Sequence, residues 1–224
     1  MKIVDTYSFK GGEKFLKTHH TNELQEVLDS INDLDASICL TKESREKTKK
    51  GQVLFSPVDM NKYLKLSFHL KGWTEKSKAG KKRKFAEPRH VFGKGRFREM
   101  DGLKNKVGLE IQFGKYAFMG YDIFSKMIIF RNLKYIDCGV EIVPSSELVK
   151  LMSTGVSSFE QLLVDFENRG ESNIDVPVFI ISIGLTDEEK SKCSSFRELF
   201  MSNKKEAISQ IKLCKYNGSK PGPK

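Results

Sequence analysis

Hydrophobic positions along the chain repeat with two periods, and the alternation between them sketches the fold. Residues 2–7 read as a short strand. Over residues 23–34, Leu24, Val27, Leu28 and Ile31 share one face of a predicted core helix that Asn22 is placed to cap. Residues 41–52 are polar and charged and predict a loop or a solvated helical turn. Pro57 opens a helix through Leu70 with Met60, Tyr63, Leu64 and Phe68 inward, ended by Gly72-Trp73; the single tryptophan predicts a core anchor. Residues 106–113 alternate, with Val107, Leu109, Ile111 and Phe113 on one face and Gly108, Glu110 and Gln112 on the other.

Residues 116–133 are apolar almost all round, which predicts a helix buried in the domain or against a second subunit. A strand over 134–143, a short helix capped by Ser145 to about Met152, and a helix from Ser157 to about Asn168 follow. The run 176–183 reads as a buried strand, residues 187–215 as helix, and 216–224 as a disordered tail. Strands alternate with helices, so the expected architecture is α/β: one domain over residues 1–215, with a mixed central sheet flanked by helices on both sides.

Composition changes this picture at two points. Apolar residues make up 38% and charged residues 30%, enough for a packed core, and no apolar run is long enough for a transmembrane helix. The opening Met1-Lys2-Ile3-Val4-Asp5 lacks the layout of a secretion signal. The four cysteines (Cys39, Cys138, Cys193, Cys214) form no CxxC pair, which argues against a zinc ribbon or disulfide framework and for a reducing cytoplasm. The net charge of +10 is concentrated in residues 76–98, where ten Lys/Arg stand against Glu87 alone, a local balance of +9. Such concentration points to a polyanion, most often nucleic acid; the alternative is a solvated loop without a partner. The window has no amphipathic apolar face for a membrane.

The candidate chemistry lies just beyond that window. Glu110 and Gln112 share a strand face, and Asp101 comes beside Glu110 if residues 102–106 make a turn. Two adjacent carboxylates repel unless a cation separates them, and hard oxygen ligands select Mg²⁺, with Mn²⁺ as a substitute, over zinc. The alternative is a turn aspartate and an exposed strand glutamate.

Asp101…Glu110-Ile111-Gln112 resembles the active site of the PD-(D/E)xK nucleases, and more narrowly that of the type II restriction endonucleases of the BglII and BstYI group. TKESREKTKKGQVLFSP (residues 41–57), MKIVDTYS at the start, EIQFGKYAF (110–118) and IDCGVEIVPSSEL…MSTGVSSFE (136–160) look like segments of that group. The resemblance covers roughly residues 1–75 and 100–185 and implies a restriction-endonuclease-like fold. It assigns metal binding to Asp101, Glu110 and the carbonyl of Ile111. Gln112 stands where the superfamily carries lysine and would orient a water or a carboxylate, and Met100 stands where the superfamily name implies proline. Lys115 matches a position that reads bases in the major groove, the alternatives being a phosphate contact or a solvated lysine. Ser153 and Thr154 match a further base-reading loop, the alternative being a plain helix cap. The implied activity is Mg²⁺-dependent hydrolysis of double-stranded DNA by a homodimer, at a six-base palindrome with a GATC core, leaving 5′-phosphates. A non-catalytic DNA-binding protein of the same fold, or a metal-dependent repair nuclease, are the alternative functions.

The basic window carries its own test. If about six of its side chains touch phosphate, log K for DNA is expected to fall with log salt at a slope of roughly −5. Neutralising Lys81, Lys82, Arg83 and Lys84 together is expected to flatten that slope and weaken all duplexes alike, measured by fluorescence anisotropy across a salt series. An unchanged slope would make the window a bystander.

Overall fold

The structure is a computed structural model that describes residues 1–76 and 85–217. Lys81, Lys82, Arg83 and Lys84 lie outside the described residues. A five-stranded sheet forms the centre, made of β1 (Lys2–Phe9), β2 (Gly102–Lys104), β3 (Val107–Ile111), β4 (Cys138–Pro144) and β5 (Val178–Gly184), in the spatial order β1-β5-β4-β3-β2. β3, β4 and β5 run parallel, while β1 and β2 close the two edges antiparallel. The three parallel strands are buried at every position, as expected of strands covered on both faces. β1 keeps exposed residues, as an edge strand does.

The helices are α1 (Gly12–His19), α2 (Thr21–Asn32), α3 (Pro57–Leu70), α4 (Tyr116–Tyr121), α5 (Ile128–Asn132), α6 (Ser146–Lys150), α7 (Phe159–Arg169), α8 (Asp187–Ser202) and α9 (Lys204–Asn217). A π-helical stretch, Asp122–Met127, joins α4 to α5. The alternation along the strands sorts the core into two layers. Leu109, Ile111, Val140, Ile142, Ile181 and Ile183 pack against side chains of α1, α2 and α3 together with Trp73. On the other face, Met100, Ile136, Val178 and Ile180 pack against Met119, Ile123, Met127 and Phe130, and against Phe159, Leu162 and Phe166 of α7. The mixed sheet flanked on both sides is therefore as the sequence predicts.

Several boundaries differ from those predictions. α1, which opens on Gly11-Gly12, has no counterpart in them. Gly11 adopts φ 72°, and Gly12 sits so close to β5 that a Cβ there would meet the main chain of Val178. α2 begins at Thr21, so Asn22 lies inside it and caps nothing. The strand predicted from residue 134 starts at Cys138, since Lys134 takes a left-handed φ of 65° after α5. Ser158, not Ser157, caps α7, through a capping box with Gln161. The helix predicted over 187–215 breaks at Asn203, whose side chain accepts from the Glu206 amide at 3.2 Å and so starts α9. α9 continues to Asn217, where the sequence predicts tail, and residues 218–224 are outside the described ones. Trp73 is fully buried, its indole donating to Glu26 at 2.7 Å, as expected of a core anchor. Ser56 caps α3 ahead of Pro57, and Ser145 caps α6. In the basic window, Arg89–Gly93 pairs with Arg96–Glu99 as an antiparallel hairpin.

Candidate active site

The site is built on the β2–β3 hairpin. Its turn is Asn105-Lys106, both at positive φ (45° and 71°), the twist a two-residue hairpin turn needs. The sequence places the turn over 102–106; instead Gly102–Lys104 form β2 and only two residues turn. The pairing of Gly102 with Leu109 sets Asp101, the residue before β2, across from Glu110. Asp101 Oδ2 accepts the Ile111 amide at 2.9 Å, which ties its carboxylate to the strand that carries Glu110. Gln112 follows directly after β3. Asp101 thus lies beside Glu110 as expected, and Gln112, past the end of β3, is linked to Glu110 through Asp122 and Lys126.

Glu110 is not the exposed strand glutamate of the alternative reading, being only 3% accessible. Burial raises its pKa well above the ordinary carboxylate range, and the charges of Asp101 and Asp122 push the same way against the pull of Lys126. On β4, Glu141 is paired in register with Glu110. It is wholly buried, and neither of its oxygens has a hydrogen-bond partner among the described residues. Its pKa too is pushed well up, first by burial and then by the charges of Asp122 and Glu110. Asp122 contributes a third buried carboxyl from the π-helical stretch, its pKa raised by burial, while Asp101 is partly exposed.

Two lysines meet this charge. Lys126 Nζ lies 2.6 Å from Asp122 Oδ1 and 2.9 Å from Glu110 Oε1, where it pairs in charge while Glu110 Oε1 lacks a directed hydrogen bond. Lys65 of α3 reaches Asp101 Oδ1 at 2.6 Å and Glu87 at 3.3 Å. Burial alone would lower the pKa of either ammonium; the paired carboxylates outweigh it and raise both. Sequence reasoning missed Lys65, Asp122, Lys126 and Glu141. The available signals were Glu141 inside an otherwise apolar strand, and Asp122 and Lys126 four apart in an otherwise apolar helix.

Four carboxyl groups gather around two ammonium groups, and bringing the buried ones to their ionised form is costly without a further cation. Among the described residues, no three side chains of His, Cys, Asp or Glu already converge on one point. The donor set is nonetheless hard, anionic and partly unpartnered, and it fits a divalent cation of the Mg²⁺ type.

The residues predicted to read DNA bases form a second group at the end of β3. Lys115 is exposed and precedes α4, and its main chain bridges Val156. Ser157 donates its amide to the Gly114 carbonyl at 3.2 Å, so the loop 153–157 lies alongside Gly114-Lys115. Neither Ser153 nor Thr154 caps a helix. Ser153 Oγ accepts from Lys42, and Thr154 donates its amide and hydroxyl to Glu46 Oε2, both at 2.9 Å. The Thr154 amide, helped by the Thr154 hydroxyl and by Lys42, holds the Glu46 pKa at about 2 against the opposing effect of burial.

A mixed sheet whose antiparallel edge hairpin presents an aspartate and a glutamate at the margin of a parallel core defines an α/β nuclease of the restriction-endonuclease type. The family model for the restriction endonucleases BglII/BglIII matches residues 4–183, and the chain belongs to that family of type II site-specific deoxyribonucleases. Among solved structures, the crystal structure of restriction endonuclease BglII complexed with a DNA 16-mer matches with a TM-score of 0.63 at 18% identity, covering 83% of this chain and 79% of that one. No curated protein matches the chain. The family match ends where the sequence resemblance also fades, so α8 and α9 lie beyond it. No helix among the described residues is long and apolar enough to cross a membrane.

The buried Glu141 gives a pH test on the metal-free protein. In the unfolded chain a glutamate ionises near pH 4.3, roughly, while the folded protein holds this proton to higher pH. Above that point the unfolded state binds fewer protons, so stability falls as pH rises toward the folded pKa. In EDTA, Glu141→Gln is expected to match the parent's urea midpoint at about pH 5 and to exceed it at about pH 8. The same difference at both pH values would show that Glu141 is ionised in the fold at no cost.

Proposed function

We propose that the chain is a Mg²⁺-dependent type II restriction endonuclease that, as a homodimer, hydrolyses double-stranded DNA at a GATC-centred six-base palindrome and leaves 5′-phosphates. It acts in the cytoplasm, with residues 1–215 as one nuclease domain. The observation that carries this reading is the register of the β2–β3 hairpin, which brings Asp101 beside Glu110, two residues before Gln112, within the span matched by the family. The BglII structure was solved with DNA, which supports a duplex as substrate. A two-fold protein matches a two-fold site, one subunit to each strand.

Asp101 and Glu110, with the Ile111 carbonyl, would hold the ion. When bound, a divalent ion there supplies positive charge for the phosphodiester oxygens and lowers the pKa of a water. The rest falls to the chain itself. Lys65 and Lys126 limit the repulsion among the carboxylates. Gln112 cannot take a proton near neutrality and therefore orients by hydrogen bonds. Lys115, on a turn that Gly114 keeps close to the adjoining loop, donates to a base edge in the major groove, with Ser153 and Thr154 beside it. Lys81, Lys82, Arg83 and Lys84 contact phosphates.

Asp101→Asn and Glu110→Ala are each expected to abolish plasmid cleavage in Mg²⁺ while leaving DNA binding in Ca²⁺ largely intact. Near-normal cutting by either variant would sink the assignment.

Lys115→Ala is expected to weaken binding to the cognate duplex by roughly ten- to a hundredfold, since a lysine donating to guanine O6 and N7 is worth about 1–3 kcal/mol of discrimination. Affinity for random duplex should change far less. Equal losses at one fixed salt would reduce Lys115 to a phosphate contact.

A further inference from the structure

Glu110 and Gln112 do not stand free on their strand. Both are held by one short piece of π-helix, Asp122–Met127, a form that is rare in proteins and frequent at functional sites. Asp122 uses both carboxylate oxygens. Oδ1 lies 2.6 Å from Lys126 Nζ, and Oδ2 accepts from Gln112 Nε2 at 2.9 Å. Lys126 in turn reaches Glu110 at 2.9 Å. At the other end of the Gln112 side chain, Oε1 accepts the Gly114 amide at 2.8 Å. This leaves the amide one orientation. Turned over, its oxygen would face a carboxylate and its NH₂ would face an N–H. Gly114 is part of the fit, since a Cβ there would come within 2.6 Å of Gln112 Oε1. Gln112 is half-buried, so its second N–H and second lone pair remain for a water or a phosphate oxygen. The four side chains Glu110, Lys126, Asp122 and Gln112 thus form one connected chain, and its two middle members belong to the helix.

We propose that Lys126 and Asp122 are positioning residues of the cleavage reaction, Lys126 fixing the Glu110 carboxylate and Asp122 fixing the Gln112 amide, with the ion pair between them coupling the two. This rests on the nuclease reading. Neither residue need touch DNA. Their effect is to hold an oxygen donor and a hydrogen-bonding amide in fixed relation, and groups of this kind typically matter by about ten- to a hundredfold. A simple counterion role predicts something different. Deleting an ammonium beside a cation site strengthens the field that attracts a cation, so it would tighten metal binding and leave the rate at saturating metal unchanged.

The test compares the parent chain with Lys126→Met, Lys126→Arg, Asp122→Ala and Asp122→Asn. Three quantities are measured: folded fraction by thermal melting, Mn²⁺ affinity by the electron paramagnetic resonance signal of free Mn²⁺, and the single-turnover rate of plasmid cleavage at saturating Mg²⁺, per folded molecule. Lys126→Met is expected to bind Mn²⁺ at least as tightly as the parent yet cut roughly ten- to a hundredfold more slowly, with Lys126→Arg recovering most of the rate. Asp122→Ala should lose a similar factor, and the double variant Lys126→Met/Asp122→Ala should lose no more than the worse single one, because the pair acts as a unit. If Lys126→Met fails to fold, Asp122→Asn, of nearly the same shape, carries the comparison and is expected to slow cutting with Mn²⁺ affinity preserved. Parent-like cutting by the folded variants, or a rate loss matched by an equal loss of Mn²⁺ affinity, overturns the positioning role alone. A parent protein that leaves the plasmid uncut overturns the nuclease reading and the positioning role with it.

Discussion

Carboxyl groups crowded together where water is scarce govern this molecule. Asp101, Glu110, Asp122 and Glu141 gather where the parallel core of the sheet meets its edge hairpin, and among the described residues Lys65 and Lys126 stand against them. A buried carboxylate without a partner is expensive, and a protein built only for stability would fill this place with valine or leucine. The surrounding structure makes sense as a frame for that expense. Two helical layers exclude water, the hairpin fixes the spacing of two of the acids, and a π-helical stretch delivers an ammonium to the centre of the cluster.

The fold was legible because its period is unambiguous. The runs that became β3, β4 and β5 are short, branched and apolar, and the intervening segments repeat as helices do. What escaped notice escaped for local reasons. α1 opens on two glycines, one needed for a left-handed turn and the other for close approach to Val178, and no propensity scale reads such a pair as a helix. The break at Asn203 carries no glycine or proline, and its only mark in sequence is the cap-forming pair Ser202-Asn203.

The candidate site was half legible. Asp101, Glu110 and Gln112 lie within a dozen residues of one another, so period and family resemblance both find them. Lys65, Asp122, Lys126 and Glu141 come from three other elements, and only the pairing of β3 with β4 and the packing of the helices bring them in. In sequence, Asp122 and Lys126 have the i,i+4 spacing of a pair that satisfies itself within its own helix. Three-dimensional register makes them neighbours of Glu110. The loop 153–157 is similar: the resemblance marks its serine and threonine as base readers, while their contacts with Lys42 and Glu46, more than a hundred residues away in sequence, come into view only in the structure.

The two-residue turn at Asn105-Lys106 bears on how such a chain can change over time. Side chains alternate across the sheet with period two, so one residue gained or lost between Asp101 and Glu110 would send Glu110 into the apolar layer under α3 and raise Leu109 or Ile111 into its place. Substitutions in that stretch can be graded in effect, but a change of length is all or nothing. The hairpin from Arg89 to Glu99, whose strands belong to a separate two-stranded sheet, is under no such arithmetic. Insertions and deletions in this lineage should therefore collect before Asp101 and stay out of the eight residues that follow it, giving the gene a rigid ruler beside a stretch of elastic.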